Sequence, residues 1–326
     1  NAPFKEIDGR AWPRNDSGGY TGPMTIRSAV AKSTNAIAVR VVDELTPQAA
    51  YDFLTEQLGF KHLNSADIDL APMALGGMNG GVTVREMAAG FSIFLNDGIF
   101  NGARTYTKVL NSDGTVLLEN EPLERQVFER EQTVYYMRDV LKGVTSSAMG
   151  GTARRINVPG MDVGGKTGTS QKKRDLWFCG FTPYYAGATW FGYDSSYDLS
   201  GVSGNPSLTI WNKVMNKVHE NLEPAEFDMG DSDNFEKQSY CTVSGLAPSS
   251  ACRANGTVET GRYWKGDAPS KVCTECSYVA PEPEPEPEEP GAVDPENPGA
   301  GEAGGTTAPT DPSGGTLPQT QDPEDD

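Results

Sequence analysis

Gly164-Gly165-Lys166-Thr167-Gly168-Thr169 is the most informative stretch of this 326-residue chain. It lies in the first of three closely spaced segments with strand-like composition, 161–170, 176–182 and 186–193. Pro183-Tyr184-Tyr185 has the composition of a hairpin turn between the last two segments. Short consecutive strands joined by tight turns pair antiparallel. The sequence therefore predicts an antiparallel sheet whose first strand carries three glycines and one lysine.

Helix signals lie on both sides of this sheet in the sequence. Thr46-Pro47 predicts an N-cap with proline at the first helical position, and Thr83 with Glu86 matches a capping box. A third helix is expected over 132–144 and a fourth from Pro206. The buried stripe of this last helix is expected to be Leu208, Trp211, Met215 and Val218. The predicted class is α+β, an antiparallel sheet packed with helices and accompanied by a helical lobe.

Composition divides the chain into three predicted domains. Residues 1–222 carry the helix and strand signals, and 223–280 hold four of the five cysteines in a small turn-rich module. Residues 281–326 open with alternating proline and glutamate and continue as a Gly/Thr/Pro-rich segment. Such a segment is stiff, self-repelling and poor in apolar residues, so we expect a disordered acidic tail.

The formal net charge is −18, from 45 acidic and 27 basic residues. Thirteen of the acidic residues and none of the basic ones lie in 281–326, so the rest of the chain is only mildly acidic. The negative sign argues against a nucleic-acid binder, which needs basic clusters. No apolar run approaches the roughly 20 residues that cross a bilayer. The first residue is Asn1 rather than Met, and we expect a processed form or a fragment.

Lys166, Thr167 and Thr169 have the chemistry of a carboxylate-binding platform. The two threonines share one face of the strand, and Lys166 supplies a cation. The glycines permit close backbone approach, so a peptide could add to an open sheet edge as an extra strand. The alternative is a glycine-rich bulge with a solvated lysine. A phosphate loop is disfavoured, because the four-residue spacer between the glycines of a P-loop is missing.

Ser33-Thr34-Asn35 lies between two helical stretches, 25–32 and 36–45. Its Ser and Asn side chains could face one cleft, although such pairs at helix starts are commonly caps. His62 and His219 are the only histidines, and both are expected to be structural or neutral, His219 as a solvated or dipole-facing side chain. A Ser-His-Asp triad and a histidine-based zinc site are therefore disfavoured.

Together these residues resemble the transpeptidase domain of class A penicillin-binding proteins, within the superfamily of serine acyltransferases and β-lactamases that carries S-x-x-K, S-D-N and K-T-G. Lys166-Thr167-Gly168 matches K-T-G, and Ser33-Thr34-Asn35 takes the place of the S-x-N element. The resemblance covers residues 1 to about 222. Further segments that resemble the family are 12–15, 20–22, 74–77, 81–89, 151–153 and 175–183.

The S-x-x-K element, which carries the nucleophile of this family, has no match upstream of Ser33. Ser28 and Lys32 are four residues apart rather than three. The only literal S-x-x-K is 170–173, which enters a polar turn, whereas the family nucleophile begins a helix. We therefore expect that Ser170 is not the nucleophile. The resemblance implies a chain that is truncated at its N-terminus, lacks the catalytic serine and base lysine, and is inactive alone.

The resemblance implies the peptidoglycan D,D-transpeptidase portion of a bifunctional penicillin-binding protein. It would cross-link stem peptides through a serine acyl-enzyme and bind β-lactams. Lys166 and Ser33 would be catalytic, Lys166 as a second cation near the base lysine and Ser33 as a proton relay. The substrate-binding residues would be Asn35, Thr167, Gly168 and Thr169. No cofactor and no metal is implied.

The resemblance also implies a larger protein with an upstream glycosyltransferase and an N-terminal membrane anchor, at the extracytoplasmic face of a bacterial membrane. Two alternatives remain open. One is a non-catalytic module that binds peptidoglycan or β-lactams. The other is a serine β-lactamase, which is disfavoured by the long insert between Asn35 and Lys166, by the cysteine module and by the tail.

Cys241, Cys252, Cys273 and Cys276 are disulfide candidates, for which three pairings are possible. We favour Cys241–Cys252 as one bridge, because ten residues separate them and a compartment outside the membrane favours disulfides. The C-x-x-C formed by Cys273 and Cys276 keeps a four-thiolate zinc site as the alternative. Cys179 lies in an apolar strand and is expected to be a buried, inert thiol.

Overall fold

The computed structural model describes residues 1–277. The predicted acidic tail, 281–326, lies outside the described residues. The helices are α1 (Ile26–Ala31), α2 (Asn35–Leu45), α3 (Pro47–Asp52), α4 (Leu70–Leu75), α5 (Val84–Ser92), α6 (Glu131–Thr145), α7 (Pro206–Val218) and α8 (Ser250–Ala254). The strands are β1 (Lys5–Ile7), β2 (Arg10–Trp12), β3 (Ile99–Phe100), β4 (Lys108–Leu110), β5 (Val116–Glu119), β6 (Arg125–Gln126), β7 (Gly164–Thr169), β8 (Asp175–Phe181), β9 (Ala186–Gly192), β10 (Phe235–Cys241) and β11 (Val258–Trp264).

The central sheet has the strand order β7-β8-β9 and is antiparallel throughout, as predicted. Strand β7 lies at its edge, and the hairpin turn between β8 and β9 closes through the amide of Thr182, which donates to Tyr185 O at 2.9 Å. The predicted α+β class is confirmed. Among residues 1–277, no helix is both long enough and apolar enough to cross a lipid bilayer.

The sheet is covered on both faces by apolar side chains that alternate along β8. Phe178 packs edge-on against Trp211 of α7, with ring centroids 5.0 Å apart, and the Trp211 indole donates to Gly187 O at 3.0 Å. Phe181 points to the opposite face and packs with Leu141 of α6 and with Phe227. This two-sided burial gives β8 a nearly continuous buried pattern and fixes its register against β7.

The first two glycines of β7 are required by this packing. A Cβ on Gly164 would lie 2.6 Å from the Phe181 ring, and one on Gly165 would lie 2.7 Å from the carbonyl oxygen of Cys179. These distances are shorter than real Cβ contacts allow. Gly164 and Gly165 thus let β7 lie close to β8. The sequence analysis had explained these glycines differently, by the approach of a bound peptide.

The helical lobe has its own core, and its capping signals are confirmed. The Thr46 side chain accepts from Ala49 N, and the Thr83 and Glu86 side chains form the reciprocal capping box. Helix α3 ends at Asp52, and the chain continues as a π-helical turn, Phe53–Gln57. The buried apolar residues of the lobe are Leu58, Phe60, Leu63, Ala89, Ile93 and Phe100.

Two expectations for α7, the fourth helix predicted from the sequence, are corrected. Trp211 and Met215 are buried, but Val218, the last residue of the helix, is 47% exposed. His219 is buried rather than solvated, at 5% exposure. Its Nε2 lies 2.8 Å from Thr182 Oγ1 and its Nδ1 lies 2.7 Å from Met215 O. Its role is structural, since Nδ1 contacts its own helix α7 and Nε2 holds the end of that helix against the β8–β9 turn.

The C-terminal cysteine-containing segment is built on the hairpin of β10 and β11, followed by an irregular stretch. Phe235 and Trp264 pack together at its open end and against Tyr135 of α6. The amide of Trp264 donates to the Tyr136 hydroxyl at 2.6 Å. The hairpin thus rests directly on α6. The division into domains at residues 222 and 280 stays a prediction.

The glycine packing of β7 predicts the effect of one added methyl group. Gly165→Ala should lower the free energy of unfolding by about 1–3 kcal/mol, because Cβ would overlap the β8 backbone. Gly201→Ala is the matched control, since nothing lies within 4 Å of its Cβ position. Urea denaturation of both variants measures the difference. Equal midpoints for the two variants would contradict this account of the sheet.

Candidate active site

The junction of α1 and α2 presents Ser33 in an unusual backbone conformation. Helix α1 ends at Ala31, and Ser33 follows with φ 54°, in the left-handed region that non-glycine residues rarely adopt. Its amide still donates to Val30 O at 3.1 Å, and Thr34 N donates to Ala29 O at 2.9 Å. Backbone strain of this kind is concentrated at functional sites. Here it turns the Ser33 side chain out of the helical path.

Lys166 of β7 reaches this junction across the sequence. Its Nζ donates to Ser33 Oγ at 2.7 Å and to the carbonyl oxygen of Thr167 at 2.9 Å. The structure therefore brings the K-T-G strand and the S-x-N turn into direct contact, although 133 positions separate the two residues. The lysine ammonium and the serine hydroxyl form the centre of the site.

Burial changes the acid–base chemistry of this lysine. Removal from water lowers the pKa of Lys166 from 10.5 to about 8, and the negative charge of Asp16 opposes that shift. The lysine is thus mostly charged at neutral pH but can release its proton at mildly alkaline pH. Cys179 lies opposite Lys166 on β8, and burial raises the pKa of its thiol to about 12. A neutral, buried Cys179 agrees with the expected inert thiol.

Thr152 is a site residue that the sequence analysis did not single out. Its Oγ1 lies 2.8 Å from Thr167 Oγ1, and its amide donates to Ala31 O at 3.1 Å. Thr152 therefore touches both the K-T-G strand and the end of α1. The available signal was the segment 151–153, which is among those that resemble the family. Gly151 is buried so tightly that a Cβ there would meet Val144 O at 2.1 Å.

Asn35 begins α2 beside Ser33 and is held by the N-terminal segment. Its Nδ2 donates to Arg14 O at 2.8 Å, and the amide of Ala36 donates to Asn15 Oδ1 at 3.1 Å. Asn15 is nearly buried and also donates to Gly19 O at 2.8 Å. The segment around Arg14 and Asn15 thus caps α2 and orients Asn35.

The other positions discussed from the sequence lie at the end of β7, in the turn that follows it and in the C-terminal segment. Gly168 and Thr169 complete β7, and Thr169 is exposed at its end, opposite Leu176. Ser170 lies in the following turn, where its Oγ donates to Asp175 Oδ2 at 2.9 Å and accepts from Asp175 N at 2.8 Å. These bonds give Ser170 a role in closing the turn. The four cysteines of the C-terminal segment, Cys241, Cys252, Cys273 and Cys276, meet as free thiols at a separate place.

Comparison with known proteins places this geometry in a family. Residues 3–215 match the family model described as the penicillin-binding protein transpeptidase domain. The chain is 37% identical over 257 residues to penicillin-binding protein 1A of Clostridium acetobutylicum, covering 76% of this chain and 31% of that protein. It is 30% identical over 208 residues to penicillin-binding protein 4 of Bacillus subtilis, covering 64% and 32%. The chain thus spans about a third of the length of these relatives.

Solved structures give the same fold. The crystal structure of penicillin-binding protein 1A from Haemophilus influenzae superposes with a TM-score of 0.63 at 19% identity, covering 83% of this chain and 44% of that one. PonA1 from Mycobacterium tuberculosis in complex with penicillin V superposes with a TM-score of 0.54 at 22% identity, covering 70% and 64%.

The lowered pKa of Lys166 predicts a pH-dependent contribution to stability. Between pH 8 and 10.5 the folded chain has released a proton that the unfolded chain keeps, so the unfolding free energy should rise with pH. The unfolding free energy of the wild type minus that of Lys166→Met should therefore rise across this window, measured by denaturant titration at several pH values. The unfolding free energy of the wild type minus that of Lys166→Arg should rise in the same way, because arginine stays charged in both the folded and the unfolded chain. A flat or falling difference would contradict the assignment.

Proposed function

The chain belongs to the family of penicillin-binding protein transpeptidase domains, and from that premise we propose that its site binds and processes peptidoglycan stem peptides. The reaction is D,D-transpeptidation through a serine acyl-enzyme, and β-lactams bind at the same place. The observation that supports this proposal best is the 2.7 Å contact between Lys166 Nζ and Ser33 Oγ at the edge of the sheet.

The first step is recognition of a terminal carboxylate. A stem peptide ends in D-Ala-D-Ala, and a β-lactam presents a carboxylate in a comparable position. The Lys166 cation attracts that anion, and the hydroxyls of Thr167 and Thr169 donate to it. Hydrogen bonds between charged partners are the stronger kind, and they fix the register of the peptide along the strand. Strand β7 forms the edge of its sheet in the described part of the chain, which suits an added peptide strand.

The second step is proton transfer to the leaving group. Ser33 Oγ accepts a hydrogen bond from Lys166, so the Ser33 hydroxyl proton is directed elsewhere and can be given to the amine that leaves. Lys166, with a pKa of about 8, can then resupply that proton near neutral pH. Asn35 Oδ1 accepts from the amide of the bound peptide. The Thr169 amide is one of the two oxyanion-hole donors.

The nucleophile is the serine of an S-x-x-K element, which this chain does not contain upstream of Ser33. We therefore propose that the chain alone binds ligands at the platform without forming an acyl-enzyme. In the whole protein, that serine, its lysine, an upstream glycosyltransferase and a membrane anchor complete the enzyme at the extracytoplasmic face. A β-lactamase would instead hydrolyse the acyl-enzyme rapidly, and a non-catalytic module would lack the serine in the whole protein too.

Labelling with a fluorescent penicillin tests the missing nucleophile. The chain should show no covalent band after denaturing electrophoresis, because no serine has the family arrangement ahead of Ser33. A longer form that includes the family serine is the positive control and should label. A band on the short chain that resists denaturation, and that Ser33→Ala or Ser170→Ala removes, would contradict the proposal.

The longer form also tests the roles of Lys166 and Ser33. Lys166→Met and Ser33→Ala should each lower the acylation rate on the order of 10²–10⁴-fold, since each removes a proton-transfer group. Stopped-flow acylation by penicillin measures the rate. Lys213→Met is the matched control, because it removes the same charge from the exposed face of α7, and its rate should stay within about twofold of the wild type. Unchanged acylation in the first two variants would exclude the proposed roles.

A further inference from the structure

The C-terminal hairpin has cysteines where a small domain normally has a hydrophobic core. Its buried cluster consists of Cys241, Cys252 and Cys273, and the partly buried residues around it include Leu246, Val258 and Cys276. Units of this size rarely bury enough apolar surface to be stable and usually contain disulfides or a metal. Aromatic contacts with α6 hold one end of the hairpin, and the four cysteines form the core at the other end.

The four sulfur atoms converge on one point. All of them lie within 4.8 Å of one another, and Cys241 Sγ and Cys276 Sγ are 3.6 Å apart. Sulfurs bound to zinc at about 2.3 Å in a tetrahedron are about 3.8 Å apart. Two disulfides would require only that the sulfurs be close in pairs. Here each sulfur is close to all three others, which is the arrangement that a central ion produces.

Three separate pieces of chain deliver these sulfurs. Cys241 ends β10, Cys252 lies in α8, and Cys273 and Cys276 form a C-x-x-C loop. That loop is held beside the others because Cys273 N donates to Ala247 O at 2.8 Å. A two-residue spacer between cysteines, combined with further cysteines from distant parts of the chain, is the usual ligand spacing of structural zinc sites.

Hydrogen-bonding groups lie beside the sulfurs. The Val243 amide donates to Cys241 Sγ at 3.4 Å, the Ser249 hydroxyl lies 3.1 Å from Cys252 Sγ, and the Thr257 hydroxyl, which donates to Cys252 O, lies 3.8 Å from Cys276 Sγ. Donors in this position orient metal-bound thiolates and disperse their charge. Disulfide sulfurs carry no charge and need no such donors. Buried thiolates also require a cation nearby, because unpaired buried charge is strongly unfavourable.

We propose that Cys241, Cys252, Cys273 and Cys276 bind one structural Zn²⁺ as a closed four-thiolate site. Binding replaces the four thiol protons by the metal and transfers no electrons, so neither oxidant nor reductant is needed. With four protein ligands the ion has no open position for a substrate, which gives it a structural role. This proposal does not depend on the transpeptidase function, and it replaces the Cys241–Cys252 disulfide that the sequence favoured.

Zinc and thiols counted on the same sample test the site. The whole chain is expressed with an export signal, so that it folds outside the membrane, and is purified without reductant or chelator. After denaturation it should release one zinc ion per chain and show five reactive thiols by Ellman titration. One reactive thiol and no zinc would mean two disulfides and would overturn the proposal. Three reactive thiols, which mean one disulfide, would overturn it as well, and so would five reactive thiols with no zinc.

Cysteine variants locate the metal. Cys252→Ser and Cys276→Ser should each lose stoichiometric zinc, whereas Cys179→Ser, which lies outside the cluster, should keep one zinc ion and show four thiols. Full zinc content in either of the first two variants would overturn the proposal. If those variants do not fold, exchange of wild-type zinc for Co²⁺ gives the second readout. Sulfur-to-cobalt charge transfer and the strong visible bands of tetrahedral cobalt are expected, and their absence excludes four-thiolate binding.

Discussion

The hydrogen bond from Lys166 Nζ to Ser33 Oγ joins strand β7 to the turn between α1 and α2 at the candidate active site. A lysine withdrawn from water loses hydration, and its pKa falls to about 8. That cost is tolerated because the Ser33 hydroxyl and the Thr167 carbonyl replace water as acceptors. The same desolvation makes Lys166 able to exchange a proton near physiological pH, so the feature that is unfavourable for folding is the one that the proposed reaction needs.

The position of Lys166 depends on how closely β7 approaches β8. Gly164 and Gly165 allow that approach. The edge-on contact of Phe178 with Trp211 holds β8 against α7. The lysine is therefore placed by a sheet whose register is set by buried aromatic packing, since a shift of one residue would move every side chain to the opposite face. Ser33, in contrast, is placed by local backbone strain at the end of α1.

Local patterns in the sequence were sufficient to predict the sheet and the capping box at Thr83, whereas the pairing of the K-T-G and S-x-N motifs into one site was implied by the family resemblance. Contacts made by residues far apart in sequence were not predictable in this way. Thr152 enters the site only because α6 ends beside α1, and His219 is buried because Thr182 happens to lie opposite it. The cysteine spacing likewise allowed both disulfides and a metal, because spacing alone does not tell whether four sulfurs meet in pairs or at one point.

Helix α6 is the element that contacts both the segment before β7 and the C-terminal hairpin. Near its end, Thr145 donates to Val163 O at 2.7 Å, directly before β7. In its middle, the buried Arg138 donates to Phe94 O at 2.6 Å and to Asp228 O at 2.8 Å, which joins the helical lobe to the segment leading into the hairpin. Near its start, Tyr136 receives the amide of Trp264. The strand of Lys166 and the hairpin are therefore positioned by the same packed helix, while the cysteine cluster lies at the opposite end of the hairpin, where Cys241 pairs with Val258.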